Sequence, residues 1–287
     1  MPELPDLAIL ADAFAAALDG RPEVAFRIVD PLVMRATPDQ AAALAGEVLQ
    51  GVARRGKHLV FRLERHDIWA APMLSGRFGL ASPAAARPKA AVAIRFGRGQ
   101  AHPRAAAAWV AGAAWLPDAS TELELRYLDP TRMGKIYLAP AGDPSGIPGV
   151  TELGPDADDP ALTLETWQAR IRRHPGELKG LLRNQAFVAG IGNAYSDEIL
   201  WEARLNPFRR RSTLAPEETA ALFSATRSTL AAAVDLLRDR VPPTFEKQVR
   251  DHLQVHLRGG RPCLRCGTTI SQVGGREATS FCRSCQR

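Results

Sequence analysis

The spacing of apolar residues changes twice along the chain, and each change predicts a different kind of structure. At the N-terminus apolar residues recur every three or four positions, which is the period of a helix with one buried face. Asp6 is a residue type that commonly caps such a helix, and Gly20 and Pro22 would end it. The apolar positions on this face are Leu7, Leu10, Phe14 and Leu18.

Short alternating runs follow from Val24 to about Leu138 and predict β-strands that each bury one face. Turn residues separate the runs, so we expect an antiparallel β-sandwich or barrel packed with the first helix. Residues 97–120 interrupt the alternation with Ala, Gly and Pro, and we interpret them as an excursion between two strands. The clearest alternating runs are Leu59, Phe61 and Leu63; Val92, Ile94 and Phe96; and Leu123, Leu125 and Tyr127.

Helical spacing returns beyond Thr163, after a stretch rich in Pro, Gly and Asp. The last long helix should end at Pro242-Pro243. The fold class is therefore α+β, with no internal repeat. The predicted domains are a β-sandwich over 1–139, a linker over 140–160, a helical domain over 161–257 and a short ribbon over 258–287.

The ribbon contains all four cysteines of the chain, as two Cys-x-x-Cys pairs with fifteen residues between them. Two intervening residues let both thiolates of a pair face one point, and a hairpin can bring the second pair to complete a tetrahedral site. A ribbon this short needs the metal in order to fold. Two disulfides are the alternative, and they would require an oxidising compartment. We predict one structural Zn²⁺ per chain, bound by Cys263, Cys266, Cys282 and Cys285.

Charge and composition favour a nucleic acid as partner. The net charge is +6 and the pI is about 9.5, and arginines occur in pairs and triplets. This suits a polyanion, although a solvated basic surface would give the same composition. The N-terminus carries no signal-peptide pattern and no apolar run approaches the length of a membrane span. We therefore expect a cytoplasmic protein with no membrane partner.

Pro2 and Glu3 suggest covalent chemistry at the N-terminus. A small second residue normally permits removal of Met1, which would leave Pro2 with a free secondary amine. An α-amino group titrates near about 7.7–8.0, far below the value of about 10.4 for lysine, so part of it is unprotonated at neutral pH. Such an amine can attack a sugar C1′ and form an iminium, with Glu3 as acid or base. A start codon followed by an unselected Pro-Glu is the alternative.

Three further features fit the binding of phosphate, each with a plain alternative. Gly190-Ile-Gly-Asn193 lies between two predicted helices, where backbone amides can approach a phosphate, although an ordinary helix connection looks the same. Lys179 would supply charge from the facing helix or be an exposed surface lysine. Lys57, which precedes a strand, would bring a cation to the Pro2 site or belong to a solvated basic turn.

Taken in order, these motifs resemble the formamidopyrimidine-DNA glycosylase and endonuclease VIII family of base-excision repair enzymes, over almost the whole chain. Each motif is modest alone, but five in the family's order are highly specific. The matching stretches are Met1-Pro-Glu-Leu-Pro, Arg55-Gly-Lys57-His, Asp129-Pro-Thr-Arg-Met-Gly134, Leu181-Leu-Arg-Asn-Gln through Gly190-Ile-Gly-Asn-Ala-Tyr-Ser-Asp-Glu198, and the ribbon ending Cys285-Gln-Arg.

The resemblance implies a monomeric DNA glycosylase and abasic-site lyase that acts on damaged DNA with a flipped nucleotide. It implies a β-sandwich with a leading helix, and a helix–two-turn–helix module with a four-cysteine zinc ribbon, holding DNA in a cleft. Pro2 would be the Schiff-base nucleophile, Glu3 the acid or base, and Lys57 a cation at the lesion. The residues implied to hold phosphates are Lys179, Asn193 and Arg276, the last in the ribbon hairpin.

The residues that would fill the gap left by a flipped base depart from the family's pattern. The enzymes for damaged guanine use Met, Arg and Phe, whereas the matching positions here are Leu74, next to Met73, then Thr131 and Met133. The arginine that would read the orphaned base is absent unless Arg132 replaces it. Because a bidentate contact contributes about 1–3 kcal/mol, we expect weaker discrimination of the opposite base and a different lesion preference.

Two functions follow from this resemblance. The first is a bifunctional glycosylase and lyase that uses Pro2, Glu3 and Lys57. The second is a binder of damaged or distorted DNA with the same fold and weakened or absent catalysis, which the altered gap-filling residues motivate. A pure binder has no need of the trio at the N-terminal site, so the enzyme is the favoured hypothesis.

Overall fold

The computed structural model describes residues 1–85, 90–99, 107, 109–110, 113–275 and 277–287. The chain forms two compact units. The first contains Met1–Thr151 and Leu236–Gln248, and the second contains Glu152–Asp235 and Val249–Arg287. The domain boundaries given above stay a prediction.

Helix α1 (Leu4–Leu18) is the buried centre of the first unit, since all but two of its residues are buried. The predicted helix is confirmed and its four predicted apolar residues are buried, but burial extends round almost the whole helix rather than along one face. The start of the helix also differs from the expectation. Glu3 is the N-cap, and Asp6 is its partner in a capping box, accepting the Glu3 backbone N–H at 2.8 Å. The helix stops where Gly20 takes a φ of +77°, a conformation that suits glycine.

Two sheets enclose this helix and confirm the predicted sandwich. The four-stranded sheet has the order β1-β7-β8-β6, and the five-stranded sheet has the order β2-β9-β5-β4-β3. All pairs are antiparallel except β2 with β9, which is parallel. The strands are β1 Glu23–Ile28, β2 Met34–Arg35, β3 Gly51–Arg55, β4 His58–Arg62, β5 His66–Ala71, β6 Arg77–Ala81, β7 Val92–Phe96, β8 Leu123–Leu128 and β9 Lys135–Pro140, with a short helix α2 Pro38–Ala42 between β2 and β3.

The core of the sandwich is aromatic and centres on Phe14 of α1. Its ring lies 6.2 Å from that of Phe61 on β4 and 6.1 Å from that of Phe78 on β6, so it contacts both sheets. Phe245 packs edge-on against it at 5.1 Å. Phe245 is far from the strands in sequence. Its contact with Phe14 shows that the segment 236–248 belongs structurally to the sandwich.

The described part of the 97–120 segment lies on this same core. The buried Arg21 guanidinium donates to the carbonyls of Gly97, Asp118 and Thr121, which fixes both ends of the segment. Trp115 packs edge-on against Phe245 with centroids 5.4 Å apart. Residues 100–106, 108 and 111–112, which hold most of the Ala-rich centre, lie outside the described residues.

The second unit is a helical module followed by a ribbon, as predicted. Thr163 caps α3 by accepting the Thr166 backbone N–H at 3.2 Å. The ribbon strands pair antiparallel. The elements are α3 Leu164–Ile171, α4 Leu178–Arg183, α5 Asn193–Glu202, a 3-10 turn Arg211–Thr213, α6 Pro216–Arg238, β10 Ser271–Val273 and β11 Thr279–Phe281.

Helix α6 corrects one expectation from the sequence. Among the described helices, α6 is the one that is long and apolar enough to span a membrane. It has 23 residues, and the mean hydropathy of an 18-residue stretch within it is 1.2. A single such helix is weak evidence, because core helices of globular proteins pass the same test. Here Leu222 and Leu230 are buried, and Arg227 donates to the carbonyls of Ala157 and Leu162 in the same unit.

Candidate active site and nucleic-acid interface

The N-terminus of α1 opens on a pocket of the first unit. Its empty volume is about 350 Å³, part of which is open to solvent. Pro2 is buried and lines the pocket, and Glu3 next to it is only 2% exposed. Since Glu3 caps α1, its carboxylate lies at the positive end of the helix dipole, which favours an anion there. The remaining lining residues are Asp6, Leu10, Gly76, Arg77, Phe78, Val241, Phe245, Lys247 and Gln248.

Two residues that the sequence does not single out hold the first residue of the chain in this pocket. Gln248 donates its Nε2–H to the Met1 carbonyl at 3.1 Å. Arg77 donates to Gln248 Oε1 at 2.9 Å and to the Gly76 carbonyl at 2.7 Å. Gln248 and Met1 lie far apart in the sequence, so no local spacing could have revealed the contact.

Lys57 lies in the two-residue turn of the β3–β4 hairpin, after Gly56 with a φ of +55°. The prediction that it precedes a strand is confirmed. The side chain is half-buried, and Lys57 is not among the described residues that line the Pro2 pocket. Its predicted role beside Pro2 therefore stays a prediction.

The Asp129 carboxylate links, by hydrogen bonds, the loop that contains Leu74 and the loop that contains Met133. Its carboxylate accepts the Ser75 hydroxyl from one loop and, at 2.6 Å, the Gly134 N–H from the other. Ser75 Oγ also lies 2.5 Å from Thr131 Oγ1. Burial acts to raise the pKa of Asp129, but the hydrogen bonds from Ser75, Gly134 and Thr131 outweigh it and lower the pKa. A Cβ at Gly134 would lie 1.7 Å from the Tyr127 hydroxyl, so the turn requires glycine.

The side chains on these loops are available at the surface. Met73 is 40% exposed and Met133 is 43% exposed, and Leu74 is half-buried. Arg132 is in the left-handed region with a φ of +58° and pairs through Nε with Asp30 at 2.6 Å. The structure thus brings Leu74 and Met133 onto joined loops, with Arg132 engaged by a carboxylate.

In the second unit, Lys179 is buried rather than exposed. Its Nζ lies 2.6 Å from Asp197 Oδ1, and both side chains are almost wholly excluded from solvent. Lys179 Nζ and Asn193 Nδ2 both donate to the carbonyl of Ala278, at 3.4 and 3.3 Å. The two predicted phosphate ligands therefore converge on the hairpin of the ribbon. Arg276, two residues before Ala278, lies outside the described residues.

Asp197 also bonds to two other parts of the unit. Its second oxygen lies 2.7 Å from His256 Nδ1 and accepts the Ser280 N–H of β11 at 3.2 Å. Next to it, Glu198 accepts three consecutive backbone N–H groups, from residues 254 to 256. Burial raises the pKa of Glu198 despite these bonds. His256 itself lies in a turn.

The four cysteines of the ribbon lie close together, as predicted. Their sulfur atoms are all within 4.8 Å of one another, and two of the separations are 3.5 and 4.0 Å. These distances are far too long for a disulfide, which is about 2.05 Å. A tetrahedron of thiolates about 2.3 Å from Zn²⁺ has edges of about 3.8 Å, so the site fits that ion. Trp201 donates its indole N–H to Cys263 Sγ at 3.4 Å, as outer partners of metal-bound thiolates do.

Known proteins match both units. Residues 1–136 match the formamidopyrimidine-DNA glycosylase N-terminal domain, and residues 153–241 match the formamidopyrimidine-DNA glycosylase H2TH domain. The formamidopyrimidine-DNA glycosylase of Symbiobacterium thermophilum is 33% identical over 301 residues, covering 100% of this chain and 89% of its own.

Solved structures give the same fold. Fpg from Lactococcus lactis, in complex with abasic-site DNA, superposes with a TM-score of 0.82 at 23% identity, covering 99% of both chains. MutM (Fpg) from Thermus thermophilus superposes with a TM-score of 0.77 at 28% identity, covering 99% of this chain and 98% of its own. Fold and site together define a DNA glycosylase of the helix–two-turn–helix class. The chain belongs to the formamidopyrimidine-DNA glycosylase family, as its motifs predicted.

The buried Asp197 pair generates a prediction about the stability of the second unit. Asp197→Asn leaves the Lys179 ammonium buried without its carboxylate, so we expect a loss of about 3–5 kcal/mol. Glu277→Gln is the matched control, because it breaks an exposed ion pair with Arg183 and should cost less than about 1 kcal/mol. Hydrogen exchange of peptides from α5 and β11 measures both losses. Equal losses in the two variants would contradict the assigned role of Asp197.

Proposed function

We propose that this protein excises a damaged base from DNA and then nicks the strand at the resulting abasic site, using the Pro2 amine as nucleophile. The observation that carries the proposal is the burial of Pro2, which lines a pocket, and of Glu3 next to it, at the N-terminus of a helix packed between two sheets. A residue at a chain terminus is ordinarily mobile, and a purely structural role does not require it to line a pocket.

The reaction begins when the lone pair of the Pro2 nitrogen forms a bond to C1′ of the flipped nucleotide. The base leaves with the electrons of the glycosidic bond. The nitrogen then gives up its proton, its lone pair forms a second bond to C1′ as the C1′–O4′ bond breaks, and O4′ takes up a proton, which leaves a cationic iminium. The iminium accepts electrons as the C2′ proton is removed, and the 3′-phosphate leaves in β-elimination. Removal of the C4′ proton from the resulting unsaturated iminium then expels the 5′-phosphate in δ-elimination. Water finally releases the sugar fragment from Pro2.

Glu3 is suited to the proton transfers at O4′ and C2′. It follows Pro2 directly in sequence and is almost wholly buried, so its carboxyl stays within reach of a sugar bonded to the Pro2 nitrogen. The capping box holds the backbone of Glu3 in place, because the Asp6 carboxylate accepts the Glu3 N–H. Lys57 serves as a cation at the lesion in this proposal.

DNA contacts come from both units. We assign Lys179, Asn193 and Arg276 to phosphates near the lesion, supported by the convergence of the first two on the Ala278 carbonyl. Because Asp197 holds Lys179, the ammonium is fixed in position before DNA binds. Such preorganisation lowers the entropic cost of binding.

The gap left by the flipped base is filled by Leu74 and Met133 in this proposal, supported by the exposure of Met133 and the link between the two loops. Arg132 would read the orphaned base only after leaving Asp30, which costs it an ion pair. We therefore expect weak discrimination of the opposite base and a lesion preference unlike that of the oxidised-guanine enzymes.

The ribbon holds one structural Zn²⁺ in this proposal, supported by the fit of its four sulfur atoms to a tetrahedral site. The metal organises the hairpin that carries Arg276 and takes no part in the covalent chemistry. Metal analysis of the purified protein should give one zinc per chain, and Cys266→Ala should remove it together with DNA binding. Normal binding of abasic DNA by a zinc-free Cys266→Ala protein would contradict the proposed function of the ribbon.

Borohydride trapping on DNA with an abasic site tests the nucleophile, because hydride reduces the iminium to a stable bond. We expect a covalent adduct with the wild type and at least about tenfold less with Pro2→Gly, since a primary amine forms an iminium less readily. Pro148→Gly, at an exposed turn of the same unit, is the matched control and should trap normally.

The same experiment separates the enzyme from the binder. A protein that only binds damaged DNA would shift the abasic duplex in a gel and give neither adduct nor cleavage. Peptide mapping of the adduct identifies the residue bonded to C1′. An adduct at any lysine, or equal trapping by Pro2→Gly, would show that Pro2 is not the nucleophile.

A further inference from the structure

The contact between Gln248 and Met1 bears on the reactive amine itself. The amide of Gln248 has a fixed orientation, because its oxygen faces the Arg77 guanidinium, which can only donate, and its nitrogen faces the Met1 carbonyl, which can only accept. In a peptide bond the carbonyl oxygen lies roughly 2.2 Å from the next nitrogen. Gln248 Nε2 therefore lies at most about 5.3 Å from the Pro2 nitrogen.

Removal of Met1 deletes the acceptor of this hydrogen bond and turns the adjacent Pro2 nitrogen into a free amine. We propose that Arg77 and Gln248 are positioning residues that hold the Pro2 amine in place and in its unprotonated, nucleophilic form. The proposal rests on the proposed function of Pro2, and it adds two residues that no motif of the chain marks.

The direction of the hydrogen bond that Gln248 can offer favours the neutral amine. An amide N–H can donate to the lone pair of a neutral amine, but it has nothing to offer a protonated amine, which only donates. Arg77 prevents the amide from turning its oxygen toward the amine, because that oxygen is already bonded to the guanidinium. The positive charge of Arg77 acts in the same direction, since a nearby cation disfavours a second cation.

The other charged groups around Pro2 have to be weighed against this effect. Lys247 also lines the pocket and adds to the disfavour of a protonated amine. Asp6 on α1 and Glu3 at its N-cap act oppositely, but the Asp6 carboxylate accepts the Glu3 N–H, and the positive end of the helix dipole offsets part of both charges. The Gln248 side-chain N–H is therefore the feature near Pro2 whose effect on the amine a substitution can isolate.

The hydrogen bonds that link Met1, Gln248 and Arg77 continue to the loop whose side chains we assign to the gap left by the flipped base. Arg77 donates to the Gly76 carbonyl at 2.7 Å, and Gly76 closes the turn that carries Met73 and Leu74. A Cβ at Gly76 would lie 2.3 Å from both the Pro72 carbonyl and the Tyr127 hydroxyl, so position 76 has no room for a side chain. Arg77 thus links the Gln248 amide to the backbone of this turn.

The test is the titration of Pro2 itself, in full-length protein labelled with ¹³C-proline and shown by mass spectrometry to lack Met1. Gln248→Glu replaces the donor with a carboxylate, which should raise the pKa of the amine by about one unit. Gln248→Met keeps the length of the side chain but cannot donate, so it should raise the pKa by less. Gln50→Glu adds the same charge at an exposed position of the same unit and should leave the titration unchanged.

Borohydride trapping across pH gives the functional readout. At neutral pH, Gln248→Glu should trap about tenfold more slowly than the wild type, and the two rates should converge above the raised pKa. Loss of rate by the same factor at every pH, with an unchanged titration, would mean that Gln248 is only structural and would overturn the proposal. If Gln248→Glu does not fold, the titration of Gln248→Met decides alone.

The two proposals fail separately. A wild type that forms no adduct contradicts the role of Pro2 as nucleophile, whatever the titration gives. If the wild type traps normally and both Gln248 variants titrate like the wild type, only the proposed role of Arg77 and Gln248 is contradicted.

Discussion

The burial of α1 between two sheets is the constraint on which the first unit depends. Phe14 contacts Phe61 on one sheet and Phe78 on the other, so the helix can neither rotate nor slide without opening the core. The N-terminus of a chain is ordinarily its most mobile part. Here the helix that follows it is almost wholly buried, and the capping box extends that order to Glu3. A terminal amine can then act with the precision of a side chain.

The second unit depends in a similar way on the buried carboxylate of Asp197. One carboxylate reaches Lys179 on α4, His256 in the turn before the ribbon, and the backbone of Ser280 in the ribbon. A buried charge of this kind is stable only when it is fully paired, so these three parts are held in one arrangement. A metal ion held by the four clustered cysteines would add a second, independent restraint on the ribbon.

Much of the fold could be predicted because it follows from local periods. The alternating runs, the apolar residues of α1 and the spacing of the cysteines each depend on residues close in sequence. The structure confirms the strands, the helix and the cysteine cluster, but α1 and β8 are buried almost all round rather than on one face. Strand β2, at two residues, is too short to show a period, so its parallel pairing with β9 could not be foreseen. The sequence favours Asp6 over Glu3 as the helix cap because Asp is the commoner residue type there, whereas the structure uses both in one capping box.

The candidate site was only partly predictable. Pro2, Glu3 and the cysteines are marked by position and spacing, but Arg77, Gln248 and Asp197 act through contacts between residues far apart in sequence. Gln248 meets the first residue of the chain, and the charge pattern around it looks like any solvated loop. The burial of Lys179 could not be predicted either. Sequence alone leaves Lys179 undecided between a ligand and a surface lysine, because its burial depends on the ion pair with Asp197.

The central claim is that a buried, neutral N-terminal proline performs the covalent step. The structure of the borohydride-reduced complex with abasic DNA tests it most directly. The account predicts a single bond from the Pro2 nitrogen to C1′, with no Met1, the Glu3 carboxyl beside the opened sugar and the Gln248 amide nitrogen facing Pro2. A bond from C1′ to Lys57 or Lys247, or a Pro2 still joined to Met1, would contradict it.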